Sequence, residues 1–214
     1  GKIFTDHMFM MDWNSEKGWY NARIVPFANI SIHPASTVLH YGSEIFEGLK
    51  AYTTEDGRIV TFRPDLNAQR MEDSAKRLKM PVYPKDKFIE AVKMVVKANA
   101  AYVPPFGSGA TLYIRPYMMG TNAVIGVKPA TEYQFRILVT PVGPYFKGGV
   151  KPLTVRLSDL DRAAPRGTGH IKAGLNYAMS LYNIVDAHDQ GFDENMYLDA
   201  ATHTKIEETG GANF

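Results

Sequence analysis

The 214 residues hold 24 Lys and Arg against 22 Asp and Glu, a formal charge of +2, with 45% hydrophobic and 21% charged residues, which suits one large or two small globular domains. The charges are interspersed, so no basic run suggests nucleic acid and no cationic amphipathic stretch suggests a membrane surface. Cysteine is absent, which excludes disulfides, thiolate catalysis and Cys-based zinc sites; without a long apolar span or a signal-like start, the cytoplasm is the expected compartment.

Residues 7–13 and 23–27 read as strands. Ala51-Tyr52 and residues 59–62 flank Glu55-Asp-Gly-Arg58, whose Asp-Gly pair predicts a hairpin turn. Pro64 and Asp65 open a helix, with Leu66, Ala75 and Leu78 expected on its buried face. A second helix is expected from about Pro84 to Ala100, where Phe88, Ile89, Val92, Val95 and Val96 recur at helical spacing. Residues 104–109 form a loop, residues 111–115 a strand, and residues 133–139 alternate as a half-buried strand does. Residues 141–149 concentrate proline and glycine and mark a domain boundary. Residues 1–141 are then a small N-terminal domain, 142–150 a linker, and 151–214 an incomplete second domain. That part carries strands near 153–157, 196–198 and 205–208, and a helix over about 177–189. About 65 residues are thin for a core, so the chain is expected to be truncated at its C-terminus.

Lys172 stands out within Gly167-Thr-Gly-His-Ile-Lys-Ala-Gly-Leu-Asn-Tyr177. It has small or apolar residues on both sides and no counter-charge nearby. Desolvation favours the neutral form of such an amine, which is nucleophilic toward an aldehyde. The glycines at 167, 169 and 174 are expected to leave room for a bulky group near the backbone. On the segment alone, a surface lysine in a flexible loop is an equal reading.

Eight ordered blocks resemble the branched-chain amino acid aminotransferases, class IV enzymes of fold type IV that use pyridoxal 5′-phosphate (PLP). They are Phe4-Thr-Asp-His-Met8, His40-Tyr-Gly-Ser-Glu-Ile-Phe-Glu-Gly-Leu-Lys50, Phe62-Arg-Pro-Asp-Leu-Asn67 running on to Arg70, Leu112-Tyr-Ile-Arg-Pro116, Pro141-Val-Gly-Pro-Tyr-Phe146, Asp161-Arg-Ala163, the Lys172 segment and Ile206-Glu-Glu208. The resemblance implies a two-domain α+β/α/β fold, with a small N-terminal α/β domain followed by the first part of a larger β-barrel-like domain. It departs at Leu175, where the family commonly has Gly, and at Gly211, where a cofactor-binding Thr is usual. Family members continue past Phe214 into the loop and helix N-terminus that cup the phosphate.

The same resemblance assigns roles. Lys172 is implied as the catalytic amine that joins the PLP aldehyde and later moves the proton at Cα. Glu208 is implied as partner of the pyridine nitrogen, Tyr177 of the phenolic oxygen, and Arg70 and Arg162 of the phosphate. Strand alternation sets Glu207 and Glu208 on opposite faces, so one of them meets the ring. Phe4, Tyr41, Phe46, Tyr113 and Tyr145 are implied as the substrate wall. Arg115, with Tyr41 and Tyr113, offers a charge and hydroxyls for a glutamate side chain. Taken singly, the aromatics read as core, Arg70 as a solvated helix residue, and Arg162 as a surface ion pair with Asp161.

In the family Tyr41, Arg115, Ile125 and Val127 come from the other subunit, which implies a homodimer. The implied reaction moves the amino group of leucine, isoleucine or valine to 2-oxoglutarate. Rival expectations are another class IV enzyme, such as a D-amino acid aminotransferase or aminodeoxychorismate lyase, and an inactive dimerising fragment. The six histidines show no metal-ligand spacing, and no serine elbow or Walker loop occurs.

Overall fold

The computed structural model describes residues 2–144, 151–164, 166–212 and 214. It divides into two compact units, Gly1–Tyr145 and Phe146–Phe214, so the division falls inside the proline- and glycine-rich segment.

The first unit is built on an antiparallel sheet of seven strands. β1 (His7–Asn14) and β2 (Gly18–Pro26) form a hairpin. β3 (Glu44–Phe46), β4 (Leu49–Thr53) and β5 (Ile59–Thr61) follow, then the long central pair β6 (Thr111–Gly120) and β7 (Glu132–Val142). The order is β2-β1-β7-β6-β4-β5, with β3 also pairing β6. The hairpin expected around Asp56-Gly57 closes between β4 and β5, with Gly57 at φ 80°, a conformation glycine adopts without steric cost.

Alternation along β7 sorts the sheet into two faces. Phe135, Ile137 and Val139 pair with Met118, Pro116 and Ile114 on one face, and Phe9 and Met11 of β1 join them. Gln134, Arg136, Leu138 and Thr140 lie on the other. Two helices, α2 (Pro64–Arg77) and α3 (Lys85–Ala98), supply the second layer. α3 packs on β1 and β7. The core centres on Phe135, which is fully buried; its ring stacks on Tyr83 at 3.8 Å and meets Phe9 and Phe88 at 6.0 and 6.1 Å. Burial pushes the Tyr83 phenol well above its ordinary pKa.

α2 corrects one expectation. Its buried residues are Ala68, Met71, Ser74 and Ala75, whereas Leu66 is 54% exposed. At about 100° per residue, Leu66 lies half a turn from Ala75, so the two cannot share a face. α3 buries Phe88, Val92, Val95 and Val96 as the spacing predicts, and Ala91 with them, while Ile89 sits half-buried at the edge.

β3 and β4 run along the same side of β6 and are separated by a break at Glu47-Gly48. Both pair with β6, β3 opposite residues 117–119 and β4 opposite 112–114. At the break, the Glu47 N–H donates to the carbonyl of Pro116 at 2.8 Å. In an antiparallel ladder a residue's N–H and C=O point to the same neighbour. The N–H that Pro116 lacks is therefore missing on the side where the partner strand is interrupted, which is how a proline fits mid-strand.

The second unit has three strands in the order β10-β9-β8. β8 (Val155–Leu157) runs parallel to β9 (Glu194–Leu198), and α4 (Gly174–Asp189) makes the crossover that a parallel pair requires. β10 (Ile206–Thr209) returns antiparallel to β9. α4 begins three residues earlier than its sequence suggests, because Ala173 is extended (φ −132°, ψ 146°) and serves as its N-cap. Among the described residues, no helix is long and apolar enough to cross a membrane.

Candidate active site

Lys172 lies two residues before α4, in a segment held at both sides by buried neighbours. Ile171 and Ala173 are 5% and 0% exposed, and Lys172 between them is half-buried. Ala173 is extended, so the Lys172 side chain before it leaves the backbone away from the buried Ala173 methyl. Its Nζ donates to the Tyr177 hydroxyl and lies 4.8 Å from the centre of that ring.

Arg162 approaches the same ring at 5.1 Å, and its Nη1 donates to the main-chain carbonyl of Asn176 at 3.0 Å. Its nearest carboxylate is Glu208, at 3.4 Å from Nε to Oε1. Neighbouring Asp161 lies instead beside His203, at 3.1 Å, so the local Asp161–Arg162 pair is not formed. Lys172 and Arg162 thus flank the Tyr177 ring, and Glu208 joins the cluster through Arg162.

Two glycines of the lysine segment, Gly167 and Gly169, have a different purpose from the one their sequence suggests. A Cβ on Gly167 would sit 2.7 Å from that of Ala164, and one on Gly169 would sit 3.2 Å from that of Ala163. They let the loop fold tightly on residues 163–164; they do not hold space open for a ligand.

Glu208 is aimed by a bulge as well as by alternation. Ile206 faces Leu198 and Glu208 faces Tyr197, leaving Glu207 as the extra residue. Glu207 is exposed while Glu208 is half-buried. The turn before β10 is tied by Asp199, whose carboxylate accepts the N–H groups of Thr202, Thr204 and Lys205 and the Thr202 hydroxyl. Hydrogen bonds from the Lys205 backbone and the Thr202 side chain hold this carboxyl well below the ordinary range.

In the first unit, residues of the uncovered sheet face meet in a cleft of about 920 Å³ lined by Phe4, Lys50, Tyr113, Arg115, Leu138 and Thr140, among others. Register explains the grouping: Tyr113 faces Thr140 and Lys50, and Arg115 faces Leu138. Arg115 Nη2 donates to the Tyr113 hydroxyl at 2.7 Å, and its guanidinium lies 4.5 Å from the Phe46 ring. Arg115 Nε is buried without a hydrogen bond, and no carboxylate among the described residues pairs with it. Phe4 stacks on Phe27 with centroids 5.0 Å apart and is 47% exposed. Tyr41 stands at the end of the short helix α1 (Thr37–Tyr41), 37% exposed. Tyr145 and residues 145–150 lie outside the described residues.

Gly48 makes this arrangement possible. A Cβ there would overlap the Tyr113 hydroxyl. Gly48→Ala should therefore cost about 1–3 kcal/mol through overpacking and displace the Tyr113–Arg115 pair. A melt that matches the parent, with the Tyr113 hydroxyl still on Arg115 in a crystal structure, would contradict this.

Arg70 is gripped by a residue that the sequence reading misses. Glu47 is fully buried, and its carboxylate accepts Arg70 Nε at 2.6 Å and Nη2 at 2.8 Å, plus Asn67 Nδ2 at 2.8 Å. The available signal is a carboxylate sandwiched between Phe46 and Gly48, with Asn67 and Arg70 at i and i+3 of a later helix. The Arg70 side chain as a whole remains 49% exposed.

The second-unit cluster suits a cofactor of PLP's chemistry. It offers a primary amine for an aldehyde, a phenol beside that amine, a carboxylate for a protonated ring nitrogen and a buried guanidinium. Arg162 is 9% exposed, yet its Nε makes no hydrogen bond, because the Glu208 oxygen is out of line. An orphaned buried donor of this kind is satisfied when an anion binds.

Comparison with known proteins agrees. The chain is 45% identical over 214 residues to the branched-chain-amino-acid aminotransferase of Mycolicibacterium smegmatis, and 49% identical over 217 residues to that of Haemophilus influenzae. It covers 100% and 99% of itself in those matches but only 58% and 63% of the relatives' lengths. Among solved structures, the Escherichia coli branched-chain amino acid aminotransferase matches with a TM-score of 0.77 at 29% identity, over 96% of this chain and 63% of that one. The T.th. branched-chain amino acid aminotransferase, solved with pyridoxamine 5′-phosphate, matches with 0.77 at 26%, over 98% and 64%. Residues 44–214 match the family described as amino-transferase class IV, and with the lysine, tyrosine, arginine and glutamate gathered as they are, the chain belongs to that family and has its fold.

Proposed function

We propose that this chain carries the lysine-bearing part of a PLP-dependent branched-chain amino acid aminotransferase, transferring the amino group of leucine, isoleucine or valine to 2-oxoglutarate. The observation that carries the reading is the contact of Lys172 with Tyr177, beside Arg162 and Glu208. PLP, when bound, supplies the electron sink that stabilises negative charge at the substrate Cα.

The chain's own residues supply position and protons. Lys172 is the covalent attachment point and, once released, takes the proton from Cα and returns it. Glu208 holds a proton at the pyridine nitrogen, which keeps the ring an effective sink. Tyr177 donates to the phenolic oxygen and shares a hydrogen bond with the lysine. Arg162 and Arg70 are proposed for the phosphate, where a guanidinium fork suits an oxyanion. Glu47 holds Arg70 through Nε and Nη2.

Phe4, Tyr41, Phe46, Tyr113 and Tyr145 are proposed as the apolar wall for a branched side chain. The guanidinium of Arg115, with no carboxylate against it among the described residues, supports an acidic acceptor such as 2-oxoglutarate. A panel of amino donors tests this reading. Glutamate should form from L-leucine, L-isoleucine and L-valine in the presence of PLP and 2-oxoglutarate. Turnover of D-alanine instead, or of none of the three, would contradict it.

We also propose that the protein is a homodimer. Leu39 and Tyr41 on α1 are exposed, as are Ile125 (68%) and Val127 (90%) on the loop after β6. The two segments are tied together by the Ser36–Ala123 bridge and the Val124-to-Ala35 hydrogen bond, so these exposed apolar residues lie on neighbouring segments. Val127→Asp should weaken self-association more than about tenfold, since burying a valine is worth roughly 1.5–3 kcal/mol. Sedimentation showing the same association constant for parent and variant would contradict this interface.

A further inference from the structure

We propose that Asn176 is the positioning residue of this site: its side-chain amide sets the direction of Lys172, and its main-chain carbonyl sets that of Arg162. The inference rests on Lys172 being the lysine that carries PLP.

Asn176 lies in the first turn of α4 and is 4% exposed. Asparagine is an indifferent helix former, and a buried amide is costly unless its hydrogen bonds are made. Here they are. Nδ2 donates to the carbonyls of Thr168 at 2.7 Å and Ile171 at 3.0 Å, and Oδ1 accepts from the Thr168 hydroxyl at 2.9 Å. An alanine or leucine would fill the same space, but neither could grip main-chain carbonyls.

The Ile171 carbonyl belongs to the peptide group that ends at the Lys172 nitrogen. Peptide groups are planar, so fixing that oxygen fixes the plane from which the lysine departs. At the far end of the lysine, Nζ meets the hydroxyl of Tyr177, the residue next to Asn176. Base and tip of Lys172 are therefore both referred to the first turn of α4. The main-chain carbonyl of Asn176 receives Arg162 Nη1 at 3.0 Å. One residue thus sets the spacing between the amine and the guanidinium.

The test reads where PLP attaches rather than how fast substrate turns over. Each protein is incubated with PLP across a pH series and reduced with borohydride, and the labelled lysines are mapped by peptide mass. In the parent the label should concentrate on Lys172. In Asn176→Ala the Lys172 share relative to other lysines should fall about tenfold or more, because small misplacements of a reacting group cost factors of that order. The pH of half-maximal labelling at Lys172 should also move. Thr168→Val, which removes one accepted bond and leaves both carbonyl contacts, should lose only about two- to threefold.

A structural role alone would lower the melting temperature without moving the label between lysines. An unchanged Lys172 share and pH midpoint in folded Asn176→Ala would overturn the proposal. If that variant melts below the assay temperature, Asn176→Asp keeps the shape but cannot donate when ionised; the same loss is expected, and its absence is equally fatal. A parent protein showing no preference for Lys172 would overturn the reading of Lys172 itself, which tells the two failures apart.

Discussion

Lys172→Ala is expected to abolish transamination, by at least about a thousandfold, because one side chain serves as both covalent anchor and proton carrier. The fold should survive. Lys172 is half-buried and outside both α4 and the sheet, and the packing of its segment comes from Ile171 and Ala173, which the substitution leaves in place. The variant should therefore keep its parent's melting temperature within a few degrees while losing the PLP label at position 172. Added methylamine, a free primary amine, should restore part of the turnover if the loss is that of a proton carrier. Turnover near the parent's, with the fold intact, would contradict the role given to Lys172.

Phe135→Ala is expected to cost about 3–5 kcal/mol, the largest stability effect in the first unit. The ring is fully buried and stacks on Tyr83, with Phe9, Phe88 and Trp19 around its edges at 6.0, 6.1 and 6.4 Å. Losing it opens a cavity between α3 and the sheet and removes aromatic pairings worth about 0.5–1.5 kcal/mol each beyond area burial. Both tryptophans of the chain, Trp13 and Trp19, lie in this unit, so tryptophan fluorescence follows its unfolding directly. A denaturation midpoint corresponding to less than about 1 kcal/mol of lost stability would show that the core does not centre on Phe135.

Much of this architecture is legible in the sequence because period and face coincide. The alternation over residues 133–139 sorts directly into the α3-covered face and the cleft face, and the apolar spacing of α3 matches the side chains it buries. The Asp56-Gly57 turn is local chemistry and needs no tertiary context. Leu66 is misplaced when its hydrophobicity is weighed above its angle on the helix. The glycines at 167 and 169 mislead because a missing side chain looks the same in sequence whether it admits a ligand or a neighbouring loop.

Long-range polar pairings are the least legible. Glu47 gives only a faint sign of being buried, its place between Phe46 and Gly48, since its partners Asn67 and Arg70 lie on a later helix and a three-residue strand such as β3 has no readable period. Asn176 escapes notice for the same reason. Its value lies in bonds to the carbonyls of Thr168 and Ile171, and nothing in residue identity reports those. The bulge that aims Glu208 likewise depends on register with β9, whereas alternation alone separates residues 207 and 208 without saying which one faces inward.

The most direct measurement is the mass of the purified chain after borohydride reduction, with and without PLP, followed by mapping of the labelled peptide. One pyridoxyl group per chain, on the peptide that contains Lys172, is the result predicted here. Label spread evenly over the lysines, or none at saturating PLP, would mean that the amine before α4 is an ordinary surface lysine.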